Sequence, residues 1–562
     1  MKWWRRKTYH DPEIAPDEIF LDVSNAPDFN RDRFEGRLEK PLPTSSFFLL
    51  SLGLGALFLI LVVRAWNIEV TNGSLYAEES AHNSLEIRTI FAPRGIITDV
   101  NGVILAENVE LPGGVVERHY AEPSLSQVIG YVSYPKKDSS GDMTEKGITA
   151  IEAQYDALLT GENGQMLTET DVSGNIRSEG TQVPAKEGAT LQISIDATVQ
   201  KLLARAIEGI ATDKHFIAGA GIVMDVQTGE IRALVSYPSY DSNIMTRGGP
   251  ASTIAAYNTN PGHPFLDHAI QGVYAPGSIV KPIVASGALT DGIITPNTLI
   301  EDSGFISIPD PYHPGKEFIY KGWKVLGTVD VRKALAWSSD VFFYEVGGGF
   351  KSQKGLGIDR LNYWYQQFGL GSTTAIALPG EASGLLPTPA WKKKVFNEPW
   401  YLGDTYFTAI GQYSMQVTPI QMVRAIAAIA NGGKLFTPTL LKGEPSNYTT
   451  VPVSSVALQV SREGMRQAVT SAIAGAINMP YVSVAAKTGT AQTGTRNQYD
   501  NSWVVGFFPY EHPRYAFTVV LERGPQGSGS QAVNVMQQLF DSLNVVNSMY
   551  VGGTGTTSAI AL

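Results

Sequence analysis

The chain has 562 residues, no cysteine and a formal net charge of -10, with 43% apolar and 17% charged residues. That length implies several domains, and that composition supports a large buried core rather than global disorder. The missing cysteines exclude disulfides, thiolate metal sites and a cysteine nucleophile, and the acidic balance gives no sign of a nucleic-acid surface.

Residues 1–45 are mixed in charge and rich in proline and acids, and read as a disordered cytoplasmic tail. Trp3, Trp4, Arg5, Arg6 and Lys7 fit either a contact with an anionic lipid surface or a solvated basic start. From Pro41 to Val63 no residue is charged, and Phe47 to Val63 is almost wholly apolar, within the range of a spanning helix. Arg31, Arg33, Arg37 and Lys40 precede the run and Arg64 follows it, so the positive-inside rule puts the N-terminus in the cytoplasm and the remainder outside. A transmembrane signal-anchor helix is therefore predicted at 46–64. A cleaved signal peptide fits less well, because the run starts after more than forty residues and no clear small-x-small site follows. A buried core helix would show an amphipathic period, and none is visible.

Residues 65–190 predict a β-rich outer region. Ile96 to Leu105 reads as a hairpin around Asn101-Gly102, and Asp171 to Asn175 as one of several glycine-containing turns. No titratable cluster suggests chemistry here, so a spacer or interaction role is expected.

Residues 191–546 predict a second outer region. Asp196 caps a helix with Val199, Leu202, Leu203, Ile207 and Ile210 on one side. Gly219 to Asp225 and Glu230 to Ser236 form a strand pair around Thr228-Gly229. Val482 to Thr490, Ser502 to Phe508 and Arg514 to Glu522 give three further strands, and a last amphipathic helix follows Ser530. Between these sets lies an insert expected to be mostly helical and loop-rich, with a helix from Thr418-Pro419 to Asn431-Gly432-Gly433. The simplest architecture is one five-stranded antiparallel sheet built from both ends of the region, covered by helices, with the insert as a helical lobe and a cleft between them. Residues 547–562 are expected to form a flexible tail.

Three short motifs in this region carry chemistry. Ser278-Ile279-Val280-Lys281 places a serine and a lysine one helical turn apart. Ser278 becomes a nucleophile only if a base takes its proton, and Lys281 qualifies once burial and a second cation, Lys487, push its pKa down. Alone, the pair reads better as a capping serine and a surface lysine. Ser338-Ser339-Asp340 offers a relay hydroxyl on Ser338, or a helix-capping turn. Lys487-Thr488-Gly489-Thr490 ends a strand-like run whose edge can pair with an extended peptide. Gly489 would let that backbone approach, Thr488 and Thr490 would hold a carboxylate, and the N–H groups of Ser278 and Thr490 would form an oxyanion hole. The three together, in this order, outweigh the bland reading of each.

In these motifs the chain resembles the class B penicillin-binding proteins, monofunctional D,D-transpeptidases of peptidoglycan synthesis. Tyr274 to Pro282 is similar to the active-serine segment, Lys487 to Gln492 to the third box, Ala92 to Asp99 to the start of the family's pedestal, and Asp225 to Glu230 to its first hairpin. Asp340, with Phe342-Phe343-Tyr344 behind it, and Trp400 to Thr405 followed by Ala409 to Gln412 resemble the elongation-type, rod-shape enzymes. The implied fold is α+β and multidomain: a single transmembrane helix, a β-rich elongated pedestal at 65–190, and a penicillin-binding transpeptidase domain at 191–546 with a five-stranded antiparallel sheet covered by helices plus a helical lobe. The implied activity is cross-linking of stem peptides during cell-wall elongation, without cofactor or metal and blocked covalently by β-lactams. Implied partners are a SEDS-family polytopic glycosyltransferase, elongation-complex proteins and the cell membrane. A division-type enzyme, a hydrolase of the same superfamily, a penicillin-sensing receptor and a scaffold that activates a glycosyltransferase are the alternatives.

Two points stand apart from the family pattern. Asp267-His268 replaces a frequent Asn-Arg before the serine, and Val100 a common arginine, which puts local packing in question. An ionised Asp340 beside Lys281 would favour lysinium and spoil the base. Asp340 must then point away, be protonated or pair with Lys487, and pairing with Lys487 is the expectation.

Overall fold

The structure is a computed structural model that describes residues 44–75, 77, 84–111, 115–133, 136–137, 143–170, 176–310, 313–494 and 496–552. The cytoplasmic-tail reading of residues 1–43, the Asp171 to Asn175 turn and residues 553–562 lie outside them. The chain divides into two compact units, one of residues up to 86 with 167–180, the other of 87–166 with 181–562.

In the first unit, helix α1 (Thr44–Trp66) continues into a single π turn, Asn67–Thr71. Phe47–Thr71 has a mean hydropathy of 2.4 over its most apolar window, none of it buried, and is the one helix among the described residues long and apolar enough to cross a membrane.

The second unit starts with a four-stranded sheet. Strands β1 (Ile97–Thr98), β2 (Ile104–Leu111), β3 (Val115–Tyr120) and β4 (Leu191–Gln192) run in the order β3-β2-β1-β4, with β1 and β4 parallel. The Asn101-Gly102 turn joins β1 to β2, held by Asp99 Oδ1, which accepts from the Asn101 and Val103 amides at 2.7 and 2.8 Å. This part of the chain carries a buried cluster of ionised side chains. Glu152 takes Arg94 Nε at 2.6 Å on one oxygen and Arg118 Nε at 2.8 Å on the other, and Arg94 also reaches Asp156 at 2.8 Å. Arg94, Arg118 and Glu152 are all buried. The cluster is a closed ion network rather than a reactive site, because every charge in it faces an opposite one.

The five-stranded antiparallel sheet is present. Asp196 caps α2 (Ala197–Lys214), accepting from the Thr198 and Val199 amides, worth about 1 kcal/mol. Then come β5 (Ala218–Asp225), β6 (Ile231–Tyr237), α3 (Lys281–Thr290), β7 (Phe305–Pro309), β8 (Glu317–Lys321), α4 (Asp340–Gly348), α5 (Leu402–Ala409), α6 (Pro419–Ala430), β9 (Ala485–Thr493), β10 (Tyr499–Phe508), β11 (Tyr515–Pro525) and α7 (Ala532–Val546). The sheet order is β6-β5-β11-β10-β9, every pairing antiparallel. Side chains alternate between two cores, as the period of a strand requires. Val223, Val235, Val519 and Leu521 pack with Leu203 and Ile207 of α2 and Met536 and Phe540 of α7. Ile222, Leu234, Val505 and Val520 pack with Ile420 and Val423 of α6 and Ile279 and Val280 beside the active-serine motif. Helix α6 starts with a reciprocal capping box between Thr418 and Gln421 and Pro419 in its first turn.

Three expectations shift. The insert is helical but also carries the β7–β8 hairpin, register Phe305↔Lys321 to Pro309↔Glu317. Strand β9 begins at Ala485 rather than Val482 and runs to Thr493, so the third motif lies inside it. Residues from 547 are not loose at first: Ser548–Val551 form a 3-10 turn, Tyr550 and Val551 are buried, and the Tyr550 hydroxyl donates to Asp196 Oδ2 at 3.1 Å.

Candidate active site

Pro276 leads into one 3-10 turn, Gly277–Val280, and α-helical geometry begins only at Lys281. A 3-10 turn has three residues per revolution, so Ser278 still stacks over Lys281. The turn is pinned from several sides. Tyr274 exchanges two backbone hydrogen bonds with Val417, both 2.9 Å, and the Gly277 N–H donates to the Gly411 carbonyl at 2.8 Å. Trp503 Nε1 donates to the Ala275 carbonyl at 3.1 Å. Gly411 sits at φ +73°, and a Cβ there would stand 2.2 Å from the Gly277 oxygen. Gly489 is more mildly constrained, since its Cβ would stand 3.0 Å from both the Pro276 oxygen and Ile279 Cγ2. Its glycine lets β9 close on the serine turn, a reason different from the expected approach of a substrate backbone.

Behind Ser278 lie two buried lysines and one hydroxyl. Ser338 Oγ accepts from Lys281 Nζ at 3.2 Å and from Lys487 Nζ at 2.8 Å. Lys281 also donates to the Ser338 carbonyl at 2.9 Å and to Asp340 Oδ1 at 2.6 Å, and Lys487 to the Thr488 carbonyl at 2.8 Å. Asp340 therefore pairs with Lys281, not with Lys487 as expected. The cause is geometric: Asp340 is the first residue of α4, whose start already carries Ser338 toward Lys281. Ser339 caps that helix through the Phe342 amide and anchors it by donating to Asp302 Oδ2. Ser338 itself holds φ +58°, a strained value for a residue with a side chain.

Burial lowers the pKa of Lys281, with the attraction of Asp340 opposing it. Burial pushes Lys487 well below its ordinary value, reinforced by the charge of Lys281. Two amines that both resist protonation share one hydroxyl. Ser338 Oγ has both lone pairs engaged, which leaves its own proton free to be passed on.

Ser278, Ser338, Asp340, Thr488, Gly489 and Thr490 all line one cavity of about 390 Å³. The Thr490 backbone lies against the serine turn: its carbonyl oxygen is 3.3 Å from the position a Cβ on Gly277 would take. Along β9 the pairs Lys487↔Val505, Thr488↔Val504, Gly489↔Trp503 and Thr490↔Ser502 use one edge of the strand, and β9 is the last strand of the sheet. Every expected site residue thus belongs to the lysine cluster or to this cavity. Trp323, Ile410, Gln412, Ile473, Gly529 and Ser530 line it too, and no catalytic role pointed to them. Gln412 carried a signal, in the resemblance of Ala409 to Gln412; Trp323 carried none. The Asp267-His268 departure is absorbed by packing, since buried His268 bonds Tyr274 Oη at 2.7 Å and the Gly262 carbonyl at 2.9 Å.

The penicillin binding protein transpeptidase domain matches residues 219–541, and the penicillin-binding protein dimerisation domain matches residues 114–193. The peptidoglycan D,D-transpeptidase MrdA of Escherichia coli (strain K12) is 32% identical over 473 residues, 76% of this chain and 71% of the relative. Pseudomonas aeruginosa PBP2, solved in complex with WCK 5153, is 30% identical with a TM-score of 0.69, over 84% of this chain and 99% of that one. A chain from a solved peptidoglycan synthase complex that coordinates polymerization and crosslinking is 26% identical with a TM-score of 0.71, over 92% of this chain and 100% of that one. Both domain matches, in order, and a relative 32% identical over most of its length lead to one conclusion: the chain belongs to the elongation-type class B penicillin-binding proteins.

Proposed function

We propose that the chain is a serine-type D-Ala-D-Ala transpeptidase that cross-links peptidoglycan stem peptides during cell-wall elongation, through an acyl-enzyme on Ser278. One observation carries the assignment of roles: the Ser338 hydroxyl bridges two buried lysines at the cavity that Ser278 lines. Ser278 Oγ attacks the carbonyl between the terminal D-alanines while Lys281, in its neutral form and with one of its three donated contacts given up, takes its proton. The lysinium that forms meets Asp340, as the carboxylate of a catalytic triad meets its imidazolium. The proton then goes to the leaving D-alanine amine, by way of Ser338. The N–H groups of Ser278 and Thr490 hold the oxyanion, while Thr488 and Thr490 receive the donor's carboxylate and Gly489 lies beneath it; Lys487, buried behind them, holds the Ser338 hydroxyl in place. A second stem's amine resolves the ester, and a β-lactam stops at the acylated serine.

The wider reading follows. Residues 65–190 serve as pedestal and 191–546 as catalytic domain, a division supported by the two domain matches. The helix at 46–64 anchors the chain in the inner membrane with its N-terminus in the cytoplasm, supported by the arginines and lysine that precede it. A SEDS-family glycosyltransferase and other elongation-complex proteins are the partners, a reading supported by the likeness to a chain of a peptidoglycan synthase complex. The test is labelling of the full chain by a fluorescent penicillin with intact-mass measurement, beside Ser278→Ala. A single adduct lost in the variant is expected; residual labelling of Ser278→Ala would refute the assignment.

A further inference from the structure

The catalytic motifs leave one wall of the cavity without a task. Trp323 lines it beside Ser338 and Asp340 and is 54% exposed, a high value for so large an apolar side chain. The indole is nevertheless fixed. Its Nε1–H donates at 3.1 Å to the carbonyl of Trp337, the residue before Ser338. Lys324 Nζ stands 5.9 Å from the Trp323 ring and 5.0 Å from the Trp337 ring. The backbone beside it is tucked onto the second motif, where a Cβ on Gly322 would lie 3.8 Å from that of Asp340. An apolar face is thus fixed beside the second motif and left open to the cavity.

We propose that Trp323 is the acceptor subsite, its indole covering the methylenes of an aliphatic chain whose primary amine attacks the acyl-Ser278 ester. The inference rests on the transpeptidase reading. The donor has a place of its own, along the edge of β9 that no strand among the described residues pairs with. The acceptor amine needs a path for its proton, and Ser338, beside Trp323, supplies it. The carboxylate of Asp340, on the same wall as Trp323, meets the incoming ammonium, whose nitrogen must lose one proton before it can attack. On entry the ammonium releases one proton to water. Its nitrogen then bonds to the acyl carbon, the bond from that carbon to Ser278 Oγ breaks, and a second amine proton passes through Ser338 and Lys281 to Ser278 Oγ. Water needs no apolar face to reach the same ester, so the indole acts on the partition between aminolysis and hydrolysis.

The experiment uses the detergent-solubilised full chain, a synthetic pentapeptide ending in D-alanyl-D-alanine as donor and Nα-acetyl-lysine as acceptor, with both products counted by mass spectrometry. Trp323→Ala is expected to lower the ratio of amide to hydrolysed product about tenfold, the low end of what a lost apolar contact costs in discrimination. Penicillin labelling should fall far less, and Trp323→Phe should keep most of the ratio. An unchanged ratio in Trp323→Ala overturns the subsite; if labelling and both products fall together, the residue merely supports the second motif. A wild type that is labelled but gives hydrolysis alone also overturns it. No labelling of a folded wild type removes the transpeptidase reading first.

Discussion

Asp340 Oδ1 lies 2.6 Å from Lys281 Nζ, so the proposed base has an anion in contact with it at rest. Both partners are shielded, Lys281 fully and Asp340 to all but 17% of its side chain. The carboxylate raises the lysine's proton affinity while burial lowers it, and burial wins. Asp340→Asn removes only the opposing influence. The neutral base would then persist to lower pH, and the acid limb of the acylation-rate profile moves down. The lysinium formed in the reaction loses its counter-charge, so the plateau falls, by about tenfold if the lost stabilisation is ~1.4 kcal/mol. The rate of penicillin acylation as a function of pH checks both movements; a limb that moves up in pH would contradict this account.

Lys487 predicts a separation of stability from activity. Its folded-state pKa is held well below 10.5 by burial and by Lys281. Between that value and the unfolded one, the unfolded chain binds more protons, so stability rises with pH through the window and is lost as pH falls. Lys487→Met removes the buried amine while filling similar space. It is expected to raise the thermal midpoint at neutral pH by about 2–4 °C, to flatten its pH dependence, and to abolish acylation. Scanning calorimetry at several pH values, with labelling, tests the pair of effects.

Gly411→Ala addresses the turn rather than the chemistry. The new Cβ meets the Gly277 oxygen at 2.2 Å, at a φ that side chains resist. The serine turn must move, and misplacement on the scale of 1 Å costs about 100-fold in rate. Penicillin acylation should show that loss, with the variant still folded by circular dichroism.

Glu152→Gln leaves Arg94 and Arg118 buried beside a neutral amide. Breaking a buried pair in this way costs about 3–5 kcal/mol. A lowered denaturation midpoint with labelling retained at low temperature is expected; loss of labelling in a folded variant would mean that this cluster reaches the active site.

Much of the sheet and its helices was legible, because strand alternation and caps are local signals. Asp196 announces α2, Thr228-Gly229 the β5–β6 hairpin, and Thr418-Pro419 helix α6. The motifs named the cluster around Ser338 before any geometry. What stayed hidden depends on distant residues. Arg94 meets Glu152 across 58 positions and Arg118 meets it across 34, and no spacing marks such pairs. Asp340 could have turned to either lysine, and only the direction in which α4 starts decides for Lys281. Trp323 reaches the cavity from a loop after a short hairpin that reads as irregular, since its pattern of Phe318, Ile319 and Tyr320 does not alternate.

The outer edge of β9, paired with no strand among the described residues, has a consequence for how such a chain survives in a crowded compartment. An open strand edge invites any other extended chain to add to it, and proteins usually blunt such edges with charge, proline or a bulge. None of those remedies is open to β9, because each would close the place where the donor peptide is read. Protection has to come from the walls instead. Ser338 and Asp340 of the second motif and Trp323 face Thr488, Gly489 and Thr490 of β9 across one cavity of about 390 Å³. The helical lobe is then more than a carrier of catalytic residues: it is also the cover over an otherwise open strand edge.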